Sequence, residues 1–365
     1  MSKVAVVACA TSKFRKDSSS LLDVSCEPCI EILRENSIYK EYIDGIILST
    51  TSNLQYGAAI ISEYLDIKPK ISQRIDNLCN SGTNAILTGY SLIKSGLCQT
   101  MLIVGADDIS TSGSKLGWDI TRGNFAFPVH WAALFAKKHM QQFGTTEEQM
   151  AAIASRNRSN ATKNPSALFR KKITLDEVMK SKMIVEPIKL LECSYVCTGA
   201  SALIISSEEN AKKFTDLPVW ISGIGSFTSA ASFGNLADNL SSIVSTQLAA
   251  RMAYASSRIT PKEIDVVELH DAFSVMELLA YEDLNLTTKG NGGKYAEHTE
   301  KIINPRGGLL GAGHPLGATG VAQTSEVFNQ IVGKGGKRQA RSCDIGLIHN
   351  MAAAGSSSTV LILSR

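Results

Sequence analysis

The chain states one pattern twice, and that repeat limits its fold more than any composition figure does. Residues 4–14 are an apolar strand running into a polar turn, and residues 219–228 repeat it as Val-Trp-Ile-Ser-Gly-Ile-Gly-Ser-Phe-Thr. A helical segment follows each, at 21–35 and 239–256. Next comes a strand after an Ile-Asp pair, at 43–48 and 264–269. A Gly-rich turn then opens a helix of small residues, at 79–94 in one half and 307–330 in the other. Strands at 101–105 and 202–206 close the first half, and strands at 345–348 and 359–363 close the second. Two βαβαβ-like halves, 1–215 and 216–365, predict an α/β protein: a duplicated five-layered α-β-α-β-α sandwich with the matched helices at its centre. Helices held between two sheets must be slim, which accounts for their Gly, Ala, Ser and Thr.

Between the last two strands of the first half lies an insertion, about 111–197, helical by period at 132–142 and 147–160. Residues 137–189 carry 11 Lys and Arg against 5 Asp and Glu, in a chain whose net charge is only +3. A solvated helical face would look the same, but a local basic surface also suits a phosphorylated small ligand. The small overall charge argues against general nucleic-acid binding. The first residues enter a strand directly, with no signal peptide, and no apolar run is long enough to span a bilayer. Eight cysteines without a regular framework are expected as free thiols in a reducing cytoplasm. The single CxxC, Cys26 to Cys29, reads as structural.

The chemistry centres on Asp76-Asn77-Leu78-Cys79-Asn80-Ser81-Gly82-Thr83-Asn84. Asn80, Ser81 and Thr83 are helix-starting residues, so Cys79 is expected at the positive end of a helix, with its thiol pKa lowered. Such a thiol is a candidate covalent nucleophile; a buried structural cysteine is the alternative. The second half supplies three of the six histidines at strand ends and turns: His270 before Asp271-Ala272-Phe273, His314 in a glycine-rich turn, and His349 before Asn350. A lone histidine is more often structural, but three at matched topological ends favour a site. His130, His139 and His298 lack this placement and read as surface or packing residues. The pattern does not suggest a zinc site.

These blocks resemble the thiolase superfamily, and within it the sterol-carrier-protein-2-type and archaeal acetyl-CoA acetyltransferases. The resemblance spans essentially the whole chain and rests on 77–84, His270-Asp271-Ala272-Phe273, Gly313-His314-Pro315 and His349-Asn350. It implies Cys79 as the acylated nucleophile and His314 as its base and an oxyanion donor, with His270 completing that hole. The amide of Cys79 and one near Met351 would form a second hole. The insertion would be the coenzyme A platform, and no cofactor is needed beyond the coenzyme A thioesters, acetyl-CoA and acetoacetyl-CoA. The resemblance also implies a homodimer or dimer of dimers, and association with HMG-CoA synthase and an OB-fold protein.

Two departures stand out. Relatives carry a second cysteine for the α-proton, where this chain has Ala272 and, at the terminal motif, His349. By position His349 is assigned the α-proton, with Cys343 or another thiol, and then His270, as alternatives. Ala352-Ala353-Ala354 stands where relatives carry glycines, and its methyl groups would crowd an acyl pocket. The implied activity is Claisen condensation of two acetyl-CoA, or the reverse thiolysis, through an acetyl-cysteine. A carbon–carbon lyase or aldolase on acyl-CoA and a non-catalytic acyl-CoA-binding subunit are the alternatives.

Overall fold

The structure is a computed structural model that describes residues 3–35, 38–111, 119–125 and 127–365. Residues 112–118 of the expected insertion lie outside the described residues. The first half runs β1 (Val4–Thr11), α1 (Leu21–Glu35), β2 (Gly45–Ser49), α2 (Gly57–Tyr64), β3 (Ile71–Ile75), α3 (Ser81–Lys94) and β4 (Thr100–Asp107). The inserted elements are α4 (Pro128–Phe143), α5 (Glu147–Ala161), α6 (Leu175–Met179), β5 (Met183–Val185) and β6 (Ile188–Lys189). After them β7 (Gly199–Ser207) and α7 (Glu208–Phe214) complete the half. The second half runs β8 (Val219–Thr228), α8 (Val244–Ser257), β9 (Val266–Glu268), α9 (Ser274–Asp283), α10 (Gly292–His298) and β10 (Ile302–Ile303). It ends with α11 (Gly308–Ala312), α12 (Leu316–Ile331), β11 (Ile345–Ala352) and β12 (Ser357–Ser364).

The two halves share one strand order, β3-β2-β4-β7-β1 against β10-β9-β11-β12-β8. They meet where β1 pairs with β8 at Ala5–Trp220 and Val6–Val219, so the two sheets run together as one of ten strands. Alternate residues of each strand face different layers, as the period of two requires. In the first half Ala5, Val7, Ile46 and Leu48 pack on α1 and α2, while Val4, Val6 and Ile47 face α3 and α12. In the second half Leu361 and Leu363 face that same central layer, and Val360 and Ile362 face α8 and α9. The helices α3 and α12 cross at glycines. A Cβ on Gly82 would stand 2.8 Å from the Val321 amide nitrogen, and one on Gly320 would stand 2.6 Å from that of Thr83. Backbone on backbone cannot yield, so these positions admit no side chain.

The structure changes four local expectations. The helix read at 307–330 is broken into α11 and α12, because Gly313 at φ 100 and Pro315 cannot continue a helix. The helix read from 239 begins at Val244, after a single tight turn at Ala237–Asn239. The edge strands β3 and β10 were not legible. The first is mostly solvent-exposed and the second has two residues, so neither shows an apolar period. His349 does not end its strand: β11 continues through Asn350 and Met351 to Ala352.

Candidate active site

The nucleophile turn is built by its own polar side chains. Leu78 has φ 50, a left-handed conformation that costs a branched residue energy and marks a sharp strand-to-helix elbow. Asp76 Oδ1 accepts from the Leu78 amide at 3.1 Å. Ser81 Oγ accepts from the Asn77 amide at 2.7 Å and donates to the Leu78 carbonyl at 2.6 Å. Asn80 Nδ2 reaches Ser357 and Thr359 of β12 at 3.2 and 3.1 Å, and its Oδ1 accepts from Thr83 Oγ1 at 2.6 Å. These side chains therefore stitch the turn and tie it to the second half instead of capping the helix amides as expected. Cys79 is left two residues before α3, partly exposed in a cavity of about 580 Å³. Burial, and after it the carboxylates of Asp107 and Asp76, push its thiol up to about 12, against the lowering expected at a helix start. Asp107 stands there because it ties the chain after β2 to the start of α12. It accepts from Thr50 Oγ1, from the Ser52 amide and hydroxyl, and from the Gly317 amide at 2.5 Å.

His314 and His270 line the same cavity. Thr319 Oγ1 donates to the Pro315 carbonyl at 2.8 Å, so towards His314 Nδ1, also at 2.8 Å, it can only accept. Nδ1 therefore carries the proton, and the buried Nε2 is a bare acceptor without a hydrogen-bond partner among the described residues. Burial, and then the Arg306 guanidinium, pull its pKa to about 3, so the ring is neutral. The His270 ring meets it edge-on, centroids 5.3 Å apart at 84°. Burial, with the His314 and His349 rings nearby, holds His270 well below the usual imidazole range, and its Nδ1 has no hydrogen-bond partner among the described residues. One ligating atom from each of Cys79, His270 and His314 lies within 4.8 Å of the others, a spacing that could also hold a soft divalent ion.

His349 is placed differently. It does not line the cavity with Met351, but lies two residues deeper along the same face of β11. Its ring joins a buried hydroxyl chain. Ser245 Oγ donates to the Gly355 carbonyl at 2.5 Å and accepts from Ser358 at 2.7 Å; Ser358 accepts from Thr246 at 3.0 Å. Thr246 Oγ1 must then accept from His349 Nε2, at 3.0 Å. The α-proton role expected of His349 would need its ring to reach the cavity; Nε2 is committed to Thr246, while Nδ1 has no hydrogen-bond partner among the described residues and the ring stands near His270. The other terminal-motif residue, Asn350, faces α12 and donates to Gln323 Oε1 at 2.7 Å. Nor does Asp271 orient His270; its carboxylate is taken by the amides of Leu309 and Leu310.

Ala352, Ala353 and Ala354 line the cavity, and Ala353 and Ala354 have φ 43 and 58, left-handed backbone that favours glycine. Sequence reasoning missed His130, which stands in the cavity wall with no hydrogen-bond partner for Nδ1 among the described residues, and Cys193, a second thiol in that wall. Neither sits in a recognisable motif. His139 is a buried packing residue, held by Thr145 at 2.7 Å and Glu282 at 3.1 Å. His298 is exposed, and Cys26 and Cys29 are buried free thiols on α1. Within the insertion Lys189 pairs with Glu147, Lys180 with Asp176 and Lys137 with Glu186, acids already counted against its cations, and Arg156 pairs with Glu277 of α9, so most of the basic excess remains.

The family model for the thiolase N-terminal domain matches residues 4–209, and that for the thiolase C-terminal domain-like unit matches residues 225–365. An acetyl-CoA acetyltransferase of Methanothermobacter thermautotrophicus is 33% identical, covering 100% of both chains. Human sterol carrier protein 2 is 32% identical over 77% of this chain and 56% of its own. Among solved structures, an Ltp2-ChsH2(DUF35) aldolase superposes with a TM-score of 0.89 at 22% identity, covering 99% of this chain and 97% of that one. Human mitochondrial 3-ketoacyl-CoA thiolase in complex with CoA gives 0.76 at 19%, over 100% and 98%. With both family models and a full-length relative in agreement, the chain belongs to the thiolase superfamily.

Proposed function

We propose that the protein is an acetyl-CoA C-acetyltransferase working by ping-pong acyl transfer through Cys79. The observation that carries this reading is the bare, buried Nε2 of His314, fixed by Thr319 and facing the cavity that holds the thiol. In the first half-reaction the thiol gives its proton to His314 as sulfur attacks the thioester carbonyl. His314 passes that proton to the departing coenzyme A thiolate. Attack builds an oxyanion, and His270 with His314 supplies the polar edge beside it, the amide of Cys79 serving the second hole. In the second half-reaction His270 takes the α-proton of a second acetyl-CoA, and the enolate attacks the acetyl-Cys79 carbonyl. The Cys79 thiolate leaves and recovers the proton from His270, giving acetoacetyl-CoA; thiolysis runs the same steps backwards. His349 acts beneath this set, through His270, and not on the substrate. The unpaired cations of the insertion would face the coenzyme A phosphates, and no cofactor beyond the coenzyme A thioesters enters the scheme. A homodimer or dimer of dimers in the cytoplasm, with HMG-CoA synthase and an OB-fold protein as associates, belongs to the same proposal.

Incubation with acetyl-CoA followed by intact-mass measurement tests it. One acetyl group per chain is expected on wild type and none on Cys79→Ala. A wild-type chain that stays unlabelled would sink the acyl-transfer reading and leave a lyase or a binding subunit.

A further inference from the structure

We propose that Asn157, on α5 of the insertion, is a positioning residue for the His314 turn. This rests on the acyl-transfer reading above. Asn157 is fully buried, and its Nδ2 donates one hydrogen to Asp271 Oδ2 at 2.7 Å and the other to Glu277 Oε2 at 2.6 Å. Asp271 in turn accepts from the Leu309 amide at 2.6 Å and the Leu310 amide at 3.2 Å, in the first turn of α11. It gets that close because Gly308, at φ 57, has no side chain: a Cβ there would stand 2.1 Å from Asp271 Oδ2. The short helix α11 leads directly through Gly313 to His314. The orientation of the base thus descends from Asn157 through one carboxylate.

A primary amide is the side chain this position needs. Two buried carboxylates face each other across it, and an amide nitrogen gives a hydrogen to each without adding charge. Glu277 is balanced by Arg156 and held by Tyr281 and by Asn304 Nδ2 at 2.8 Å, so it serves as the fixed anchor. Other insertion contacts converge on the same turn. The Leu168 and Phe169 amides donate to Ala312 and Gly311 at 3.0 and 3.1 Å, and the His314 amide donates to Tyr195 at 2.9 Å. The insertion therefore registers the base against Cys79, besides whatever surface it offers the substrate.

The test is single-turnover acetylation of Cys79 in Asn157→Ala, Asn157→Ser and Asp271→Asn, with the double variant Asn157→Ala/Asp271→Asn. Asn157→Ala and Asp271→Asn should each lose about 10²-fold in acylation rate, the cost of a misplaced catalytic group, with half-saturation by acetyl-CoA little changed. Asn157→Ser keeps one donor and should fall between wild type and Asn157→Ala. The double variant should lose no more than the worse single one, because both remove one device. Native-state hydrogen exchange supplies a readout independent of activity: the Leu309 and Leu310 amides should exchange faster in Asn157→Ser than in wild type. An unchanged acylation rate in a folded variant, or additive losses in the double variant, would overturn the proposal. If wild type takes no acetyl group, the function reading fails, and the exchange rates alone decide the clamp.

Discussion

At Cys79 and His314 the proton inventory decides the chemistry. A thiol pushed up to about 12 and an imidazole pulled down to about 3 are both neutral at rest. No standing thiolate–imidazolium pair waits for substrate; transfer has to accompany attack. Two expectations follow. Acylation should show no limb from either group between about pH 5 and about pH 9, since neither titrates there in the free enzyme; a single inflection near 7 would belong to Asp271, which holds the His314 turn. His314→Ala should slow acylation on the order of 10²–10⁴-fold, because it removes both base and oxyanion donor. Stopped-flow acylation across that range checks both. A bell with a limb on each side of neutrality would mean that Cys79 and His314 titrate within that range, and normal acylation in the variant would mean that His314 is not the base.

At the scale of elements, the strands and helices with strong apolar period were legible: β8 spans Val219–Thr228 and α1 spans Leu21–Glu35, as read from the chain. The Cys79, His270 and His314 convergence was legible too, because each stands in a motif at a strand or helix end. What escaped had a physical reason. How deep a ring lies along its face of β11 follows from where the strand stops, and Asn350 to Ala352 gave no stop signal, so His349 was read as a strand end. His130 and Cys193 join the cavity only through tertiary packing. The three alanines at 352–354 were read as a departure that would crowd an acyl pocket; they do line the cavity, and the backbone adds why they matter. Ala353 and Ala354 hold left-handed φ values in the cavity wall, each at a cost of about 1 kcal/mol. Ala354→Gly should therefore raise stability by about 0.5–1 kcal/mol in urea unfolding, the relief of strain partly offset by greater freedom of the unfolded chain. A destabilised Ala354→Gly would mean that the methyl's packing outweighs the strain.

Across the whole molecule, the buried titratable groups pull the pH dependence of stability in opposite directions. His270, His314 and His349 are held neutral by burial, so below their ordinary pKa the unfolded chain binds protons that the folded one refuses. Their contribution is intact above about pH 6.5 and falls as the pH drops. Glu268, pushed up to about 8, and Asp271, up to about 7, do the reverse. Folded, they keep protons that the unfolded chain releases, so their contribution falls as the pH rises from about 4 towards 8. The summed curve hides each group, but a difference between two proteins isolates one. His349→Gln keeps a side-chain donor for Thr246 and removes the titration. The stability of wild type relative to this variant should be constant above about pH 6.5 and fall by about 1.4 kcal/mol for each pH unit below it. The fall should end only near pH 3, where the folded imidazole itself takes a proton at about 3. Urea midpoints for both proteins at half-unit intervals between about pH 5 and pH 8 measure that difference. A difference that does not change with pH would mean that His349 titrates in the fold as it does unfolded, and one that falls as the pH rises above about 6.5 would mean that it is charged there, with a partner for Nδ1 that the hydroxyl chain does not provide.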